Sequence, residues 1–553
     1  MAAAKGDFFG FPLLPRFFRS VPAFANRFPA GKRSGVKTEP SAASGISAKP
    51  LRVFLYATAM ITGGAIMIVE ILGAKLLAPY FGTSHFVWTA QITITLLALA
   101  AGYAVGGWRA DRSQRLRWIY GAILLAAVWL GLVTWQLERI AFVCLRGELA
   151  LGSLAASALL FFVPLAALAM VGPFFVRVLT RDLKAVGGSV GRLTALSTLG
   201  SVLGCLLIGY VLIPRLPNST TLFLTSVLLA AVGTAYFAVW ERRALLGAGG
   251  AALAGLLPGL WGATHPPLAI HPPAREVYRA NSSFGLLQVV DLSEDYRIYL
   301  NDLLAQNTIN PRTGQSESLF THLLYGLARG YAPAARDVLA IGLGVGIVPM
   351  QFAREGARVD VVEINPAVLP VAERFFGFDP NAVHVILGDG RFVAATTTNR
   401  YDVIVLDAFL GESPPSHLMT REAFTALRRC LRPDGVLVMN AFGDFAPGRD
   451  FLIGSLRKTL RAVFRSVRLH ASGNGNVFLV ASDRPELKLT GALDTRHIPP
   501  RLRGQARAAW AGAPHLRPEA GIVLTDDFNP ADFRDALNRE QLRRQLALSL
   551  ERL

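Results

Sequence analysis

Four short apolar runs each end on a residue that can do chemistry. VLAIGLGVG (338–346) places Gly342, Gly344 and Gly346 directly after a β-branched stretch. VDVVEI closes on Glu363, 21 positions after Gly342. VHVILGDG ends on Asp389-Gly390, and YDVIVLDAF carries Asp407. Glycines at the first position let the backbone turn sharply and approach a ligand. A carboxylate at the second can accept from two ribose hydroxyls. An acid beside a free amide at the third can read an adenine edge, and Asp407 at the fourth would face the substrate. Ile347 stands where the third glycine of the dinucleotide fingerprint GxGxxG would fall. GxGxG with an acid closing the second strand therefore fits an adenosyl-sulfonium ligand better than NAD.

These groups have to be positioned by strands alternating with helices, which predicts a doubly wound parallel sheet with ligand at the carboxyl ends of its strands. Ahead of it, SFGLLQVVDLSEDYRIYLND alternates apolar and polar residues and predicts a small antiparallel sheet. THPPLAIHPPAREVY (264–278) is a proline-rich linker. The expected fold is a multi-pass α-helical membrane domain, then an α/β Rossmann-like (methyltransferase-type) domain with a small N-terminal β-subdomain. The boundaries are a basic disordered tail at 1–50, membrane helices at 51–262, linker and β-subdomain at 263–310, and the Rossmann domain at 311–545.

The chain has 553 residues, 56 Lys+Arg against 38 Asp+Glu, and a hydrophobic fraction of 52%. That greasiness, with the positive charge gathered beside apolar runs, points to lipid rather than nucleic acid. Runs of bilayer-spanning length lie near 53–77, 86–107, 117–137, 153–176, 191–213 and 220–240. A seventh, 245–262, is rich in Gly and Ala and interrupted by Pro258. Arg109, Arg112, Arg115 and Arg117, then Arg177, Arg181, Lys184 and Arg192, then Arg242 and Arg243 mark alternate connections. With the basic tail they place the N-terminus in the cytoplasm. Six spans leave the C-terminal half cytoplasmic and seven place it outside. A cytoplasmic cofactor favours six, with 245–262 interfacial or re-entrant, in a multi-pass protein of the cell (inner) membrane. Cys144, Cys205 and Cys430 form no CxxC pair, and the nine histidines show no metal spacing, so no metal is expected.

The stretches IVEILGAKLLAPYFGTSHFVWT (68–89), GRLTALSTLGSVLGCLLIGYVLIP (191–214), YLNDLLAQNT (299–308), IGLGVG, VVEINP, LGDGR and LDAFLGESPPSHLMT (406–420) resemble the membrane-fused branch of the spermidine synthase (polyamine aminopropyltransferase) family. The resemblance implies decarboxylated S-adenosylmethionine as co-substrate and a small amine as acceptor, hence polyamine biosynthesis. It implies that Glu363 holds the ribose, Asp389-Gly390 the adenine, and Gln306 the cofactor pocket, and that Asp407 takes the proton of the attacking amine. Val345 stands where soluble members carry an acid in the glycine turn. Ser316, Glu317 and Ser318 align with their Tyr-His-Glu stretch, and Leu410 with their second acid, with Glu412 close by. Adenosine contacts are thus kept while aminopropyl and amine contacts are thinned. S-adenosylmethionine-dependent methyl transfer is the alternative, and a polyamine or small-solute carrier with a ligand-sensing soluble domain is a third reading.

Other residues carry weaker expectations. Glu70 and Lys75, within or at the end of the first span, mark either a polar path, or an internal ion pair or Lys75 snorkelling to the interface. Gly200, Ser201 and Gly204 form a small-residue packing face. His417 and Glu412 are candidate substrate contacts on the loop after Asp407. Asp526 and Asp527 either reach the cleft or begin a turn, and His322 packs in a helix. The basic C-terminal helix RDALNREQLRRQLALSLERL reads as solvated and amphipathic, with an interface role as the second reading. The expected partners are the bilayer and a small amine, with a homo-oligomer left open and no nucleic acid.

Overall fold

The computed structural model describes residues 48–550, except 83–84, 181–185, 266–269, 271, 410, 412 and 472–474. Seven helices are long and apolar enough to cross a membrane: α1 (Lys49–Phe81), α2 (Phe86–Arg112), α3 (Arg117–Leu145), α4 (Leu149–Leu179), α5 (Val186–Arg215), α6 (Asn218–Trp240) and α7 (Arg242–Thr264). Residues 245–262, expected to be interfacial or re-entrant, form a helix packed within the bundle. Pro258 lies inside a continuous helix, and α7 packs lengthwise on α3 and α6. Small residues permit that approach. A Cβ on Gly131 would sit 2.1 Å from the Gly255 carbonyl oxygen, and one on Gly262 would sit 2.4 Å from that of Thr134.

The same device joins α1 to α5, as the small-residue face predicts. A Cβ on Gly200 would lie 1.9 Å from the Met60 oxygen, and one on Gly204 would lie 2.5 Å from that of Gly64. Ser201 Oγ donates to the Gly63 carbonyl at 3.1 Å. Lys75 donates to the Ser283 carbonyl at 3.4 Å, and no ion pair joins it to Glu70 among the described residues.

A four-stranded antiparallel sheet follows in the order β1 (Arg275–Ser282), β2 (Gly285–Ser293), β3 (Tyr296–Asn301) and β4 (Leu304–Ile309). Helix α8 (Leu319–Tyr331) leads into β5 (Asp337–Ile341), α9 (Ile347–Arg354), β6 (Arg358–Glu363), α10 (Val368–Phe376), β7 (His384–Leu387), α11 (Gly390–Thr396) and β8 (Tyr401–Leu406). Then come α12 (Arg421–Cys430), β9 (Leu431–Phe442), α13 (Phe451–Arg461), β10 (Ser466–Ala471), β11 (Asn476–Ser482), α14 (Arg503–Ala511), α15 (Ala531–Arg534) and α16 (Ala536–Leu550). The seven-stranded sheet runs β10-β11-β9-β8-β5-β6-β7. β7 through β9 pair in parallel, while β11 is antiparallel to both β9 and β10. This is the expected Rossmann-like, methyltransferase-type architecture behind a membrane-type helical region. The central strands are buried on both sides, as near-continuous Val/Ile/Leu runs require.

The C-terminal half meets only one end of the helical bundle. Asn281 Nδ2 donates to the Leu216 carbonyl at 3.3 Å, and Glu540 accepts from the Leu149 amide at 2.7 Å. Arg543, 1% exposed, donates to the carbonyls of Pro79 at 3.0 Å and Asp302 at 2.9 Å. The C-terminal helix is therefore an interface element rather than a solvated one. Both bonds are made by Nη1, which binds the helix to the bundle on one side and the β-subdomain on the other.

Gly200 supplies a test. Gly200→Leu must push α5 off α1, and overpacking of this kind costs about 1–3 kcal/mol. Gly191, where an added Cβ meets nothing within 4 Å, is the control. Thermal unfolding in detergent should drop clearly for Gly200→Leu and hardly for Gly191→Leu; equal melting points would refute the close-packing account.

Candidate active site

The glycine turn between β5 and α9 is built from three left-handed residues, with φ of 97° at Gly342, 56° at Gly344 and 83° at Gly346. Each also lacks room for a side chain. A Cβ on Gly342 would lie 2.3 Å from the Asp407 carbonyl oxygen, one on Gly344 would lie 2.9 Å from Asn307 Oδ1, and one on Gly346 would lie 2.4 Å from the Phe378 ring. Val345, in the same turn, is 1% exposed and packs in the core beneath it.

Glu363 is buried at the end of β6. Its Oε2 accepts from the Leu343 amide at 3.0 Å and its Oε1 from the Asn365 amide at 2.7 Å. The carboxylate thus ties the glycine turn to its own strand end. Each oxygen keeps a lone pair for a ligand hydroxyl. Burial raises its pKa above the usual carboxylate range, opposed by the backbone amides.

Asp389 caps α11 through Oδ1, which accepts from the Arg391 amide at 2.7 Å. His417 Nε2 lies 3.0 Å from its other oxygen. Gly390 packs on Ile341, where a Cβ would be 2.4 Å from Cγ2. Arg391 Nη1 donates to the His417 carbonyl at 2.7 Å and to Asp526 at 2.8 Å. Thr420 Oγ1 donates to the same Asp526 oxygen at 2.7 Å. His417 thus joins Asp389, and Asp526 anchors the loop that brings it there. Its partner Arg391 holds the Asp526 carboxyl below its ordinary pKa.

Asp407 follows β8. Its amide donates to the Ile341 carbonyl at 2.9 Å, and Asn440 Nδ2, from β9, donates to its Oδ1 at 2.9 Å. Asn476 Nδ2, on β11, donates to Asn440 Oδ1 at 3.1 Å. Desolvation pushes the Asp407 carboxyl up to about 7, with the Asn440 bond pulling the other way. Two residues past Asp407 and Asn440, Phe409 and Phe442 meet edge to face with centroids 5.5 Å apart.

Gln306 is the extra residue of a bulge in β4, since Tyr299 pairs with Asn307 and Leu300 with Ala305. A bulge re-aims side chains, and it is the adjoining Asn307 that touches Gly344. Glu412 and Leu410 lie outside the described residues. His322 is buried in α8, its Nε2 2.9 Å from the Ser316 carbonyl, and Glu317 pairs with Arg501 at 2.7 Å. A cavity of about 1570 Å3 is lined from α8, the start of α9 and residues 490–498, and reaches Gly346 of the turn. Glu363, Asp389 and Asp407 do not line it. No cluster of three metal-ligating side chains occurs among the described residues.

Sequence reasoning missed Asn307, Asn440, Asn476 and the Phe409–Phe442 pair. Asn440 had a visible signal: it is the polar residue in the apolar run VLVMNAF, and a buried amide of that kind needs a partner.

Residues 317–472 match the spermine/spermidine synthase domain family. Polyamine aminopropyltransferase of Vibrio vulnificus is 42% identical over 118 residues, covering 20% of this chain and 40% of that protein. N-terminal histidine N-methyltransferase of Emericella nidulans is 31% identical over 216 residues, 35% of this chain and 38% of that protein. Putrescine N-methyltransferase 2 of Nicotiana attenuata is 33% identical over 130 residues, 22% of this chain and 35% of that protein. The chain spans between 35% and 40% of the length of these relatives.

Asp407 makes a testable contribution to stability. A carboxyl with a folded pKa of about 7, above its ordinary value of about 3.9, binds its proton more tightly when folded. The stability it contributes is full at low pH and is lost as pH rises from about 4 to 7. Each pKa unit is worth at most about 1.4 kcal/mol, less here because the residue keeps some solvent contact. Asp535, also pushed up to about 7, adds to the same window. Thermal melts from pH 4 to 8 should therefore show a shallower decline in Asp407→Asn than in the parent; identical slopes would contradict the burial of this carboxyl.

Proposed function

With a spermine/spermidine synthase domain in its C-terminal half as the premise, we propose that the protein is a membrane-bound transferase. It moves an aminopropyl group from decarboxylated S-adenosylmethionine to putrescine or a similar amine. The observation that carries this reading is the Asp407 carboxyl, poised near neutrality beside a glycine turn that is itself bonded to Glu363. Glu363 offers one free lone pair per oxygen to the ribose hydroxyls, beside the glycine turn whose Leu343 amide it holds. Asp389 and the Gly390 amide face the adenine, with His417 fixing the acid. Gln306 and Asn307 border the pocket from the β-subdomain.

An ammonium is no nucleophile, so the acceptor must lose a proton before or during attack. Asp407, oriented by Asn440 and Asn476, accepts that proton. The freed nitrogen lone pair bonds to the methylene carbon next to the sulfonium. The carbon–sulfur bond breaks with its electrons on sulfur, and methylthioadenosine leaves as a neutral thioether. The Phe409 and Phe442 rings lie near enough to favour cationic groups over bulk solvent.

Methyl transfer from S-adenosylmethionine is the second reading. Val345 favours it, because a buried valine occupies the place where the resemblance would put an acid for the aminopropyl amine. Purified protein given putrescine with either donor separates the two by mass spectrometry. Aminopropyl transfer yields methylthioadenosine and methyl transfer yields adenosylhomocysteine. For the first reading kcat/KM should rise through about pH 7, and Asp407→Asn should lower kcat about 10²–10⁴-fold. Methylthioadenosine formed equally well by that variant would sink it.

For localisation we propose seven crossings, with the arginine-bearing ends of the bundle in the cytoplasm. Arg109, Arg112, Arg117, Arg192, Arg242 and Arg243 lie at the helix ends away from those that meet the C-terminal half. The charge rule then puts that half on the opposite face, the reverse of what six spans would give and of what the cytoplasmic cofactor of the proposed reaction requires. A single introduced cysteine at the exposed Phe392, in a variant with its native cysteines replaced, should react with a membrane-impermeant maleimide in intact cells. Reaction only after lysis would return the domain to the cytoplasm.

A further inference from the structure

A second cavity, of about 420 Å3, lies where the bundle meets the β-subdomain, away from the strand-end site. Its walls come from the ends of α1, α3, α5 and α7 and from β1 and β2. Three cationic side chains line it, Lys75, Arg215 and Arg279, against one lining carboxylate, Asp302. Arg279 is held by Glu276 through a two-pronged pair at 2.5 and 2.9 Å. Lys75 and Arg215 have no carboxylate partner among the described residues; their hydrogen bonds go to main-chain carbonyls of Ser283, Tyr210 and Val211.

Tyr80 is the second, independent observation. It lines the cavity, is 1% exposed, and its hydroxyl has no hydrogen-bond partner. A buried hydroxyl left alone is costly, and it stands in a cavity with two uncompensated cations. An acceptor that is also an anion resolves both. Leu76, Leu137 and Leu216 supply an apolar wall beside the charges. The floor is fixed, since Arg543 bonds to the carbonyls of Pro79 and Asp302 on either side of it.

We propose that this cavity binds a phosphate group, with Lys75 and Arg215 as its counter-charges and the Tyr80 hydroxyl as a donor. The group comes either from an anionic phospholipid of the surrounding leaflet or from a free phosphate. The apolar wall at the level of the helix ends favours the lipid. This site does not depend on which transfer reaction the strand ends perform.

The test uses the full chain, purified and delipidated in detergent. Binding of phosphatidylglycerol and of phosphatidylcholine is measured by native mass spectrometry, with inorganic phosphate as competitor. At least tenfold preference for phosphatidylglycerol, abolished in Lys75→Gln/Arg215→Gln and reduced in Tyr80→Phe, is the expected result. The pair Arg242→Gln/Arg243→Gln, at the other end of the bundle, should leave the preference intact. Displacement of the lipid by millimolar inorganic phosphate would keep the phosphate site and overturn the lipid source. Equal binding of both lipids with no phosphate binding, or a preference unchanged in Tyr80→Phe and the double variant, overturns the proposal. Should the double variant fail to fold, Tyr80→Phe and the competition on the parent protein still decide.

Discussion

Everything at the strand ends depends on how closely β5 and β8 approach at Gly342. The Asp407 carbonyl sits where a Cβ on Gly342 would have to be, and the Asp407 amide bonds back to Ile341. The glycine turn and the acid are therefore one backbone unit. Moving either moves the other, and only a glycine at φ 97° allows it. Glu363 extends the unit by bonding to the Leu343 amide from the neighbouring strand. On the proposed reading, a ligand seated at the turn is thereby held in fixed relation to Asp407.

The electrostatics follow from the same crowding. Asp407 is drawn out of water far enough to lift its pKa to about 7, and only one neutral amide, from Asn440, opposes that. A charged partner would have pinned the carboxylate in its ionised, weakly basic form. Asn440 orients the group without doing so. Asn476 in turn orients Asn440 from the antiparallel strand β11. Asn476 pairs in register with Phe442, two residues beyond Asn440, so its side chain reaches Asn440 diagonally across the antiparallel β9–β11 ladder.

The four strand ends were legible because each ligand-facing group sits at the end of an apolar run, and the topology brings such ends together. Period and composition likewise exposed the helical region. Three things were not legible. The Asn307, Asn440 and Asn476 contacts arise between strands distant in sequence, and a lone asparagine in a strand does not name its partner. The seventh helix was undervalued because Gly, Ala and Pro258 weaken its hydropathy. Those same small residues are what let α7 lie against α3 at backbone distance. The C-terminal helix read first as solvated because it is basic, and its second reading as an interface holds because Arg543 donates to two carbonyls there.

The glycine turn also constrains how the reaction could be altered. Val345 does not merely lack a carboxylate; it belongs to the buried apolar cluster under the turn, at 1% exposure. An acid introduced there would enter the apolar interior unpaired, which costs several kcal/mol or forces the group to stay protonated. Substitution at 345 alone therefore cannot rebuild an amine-binding acid. Any group that recognises the transferred chain has to come from another element, such as β4 with its bulged Gln306 or the segment after β8. On the proposed reading, donor choice is set by those neighbours rather than by the turn.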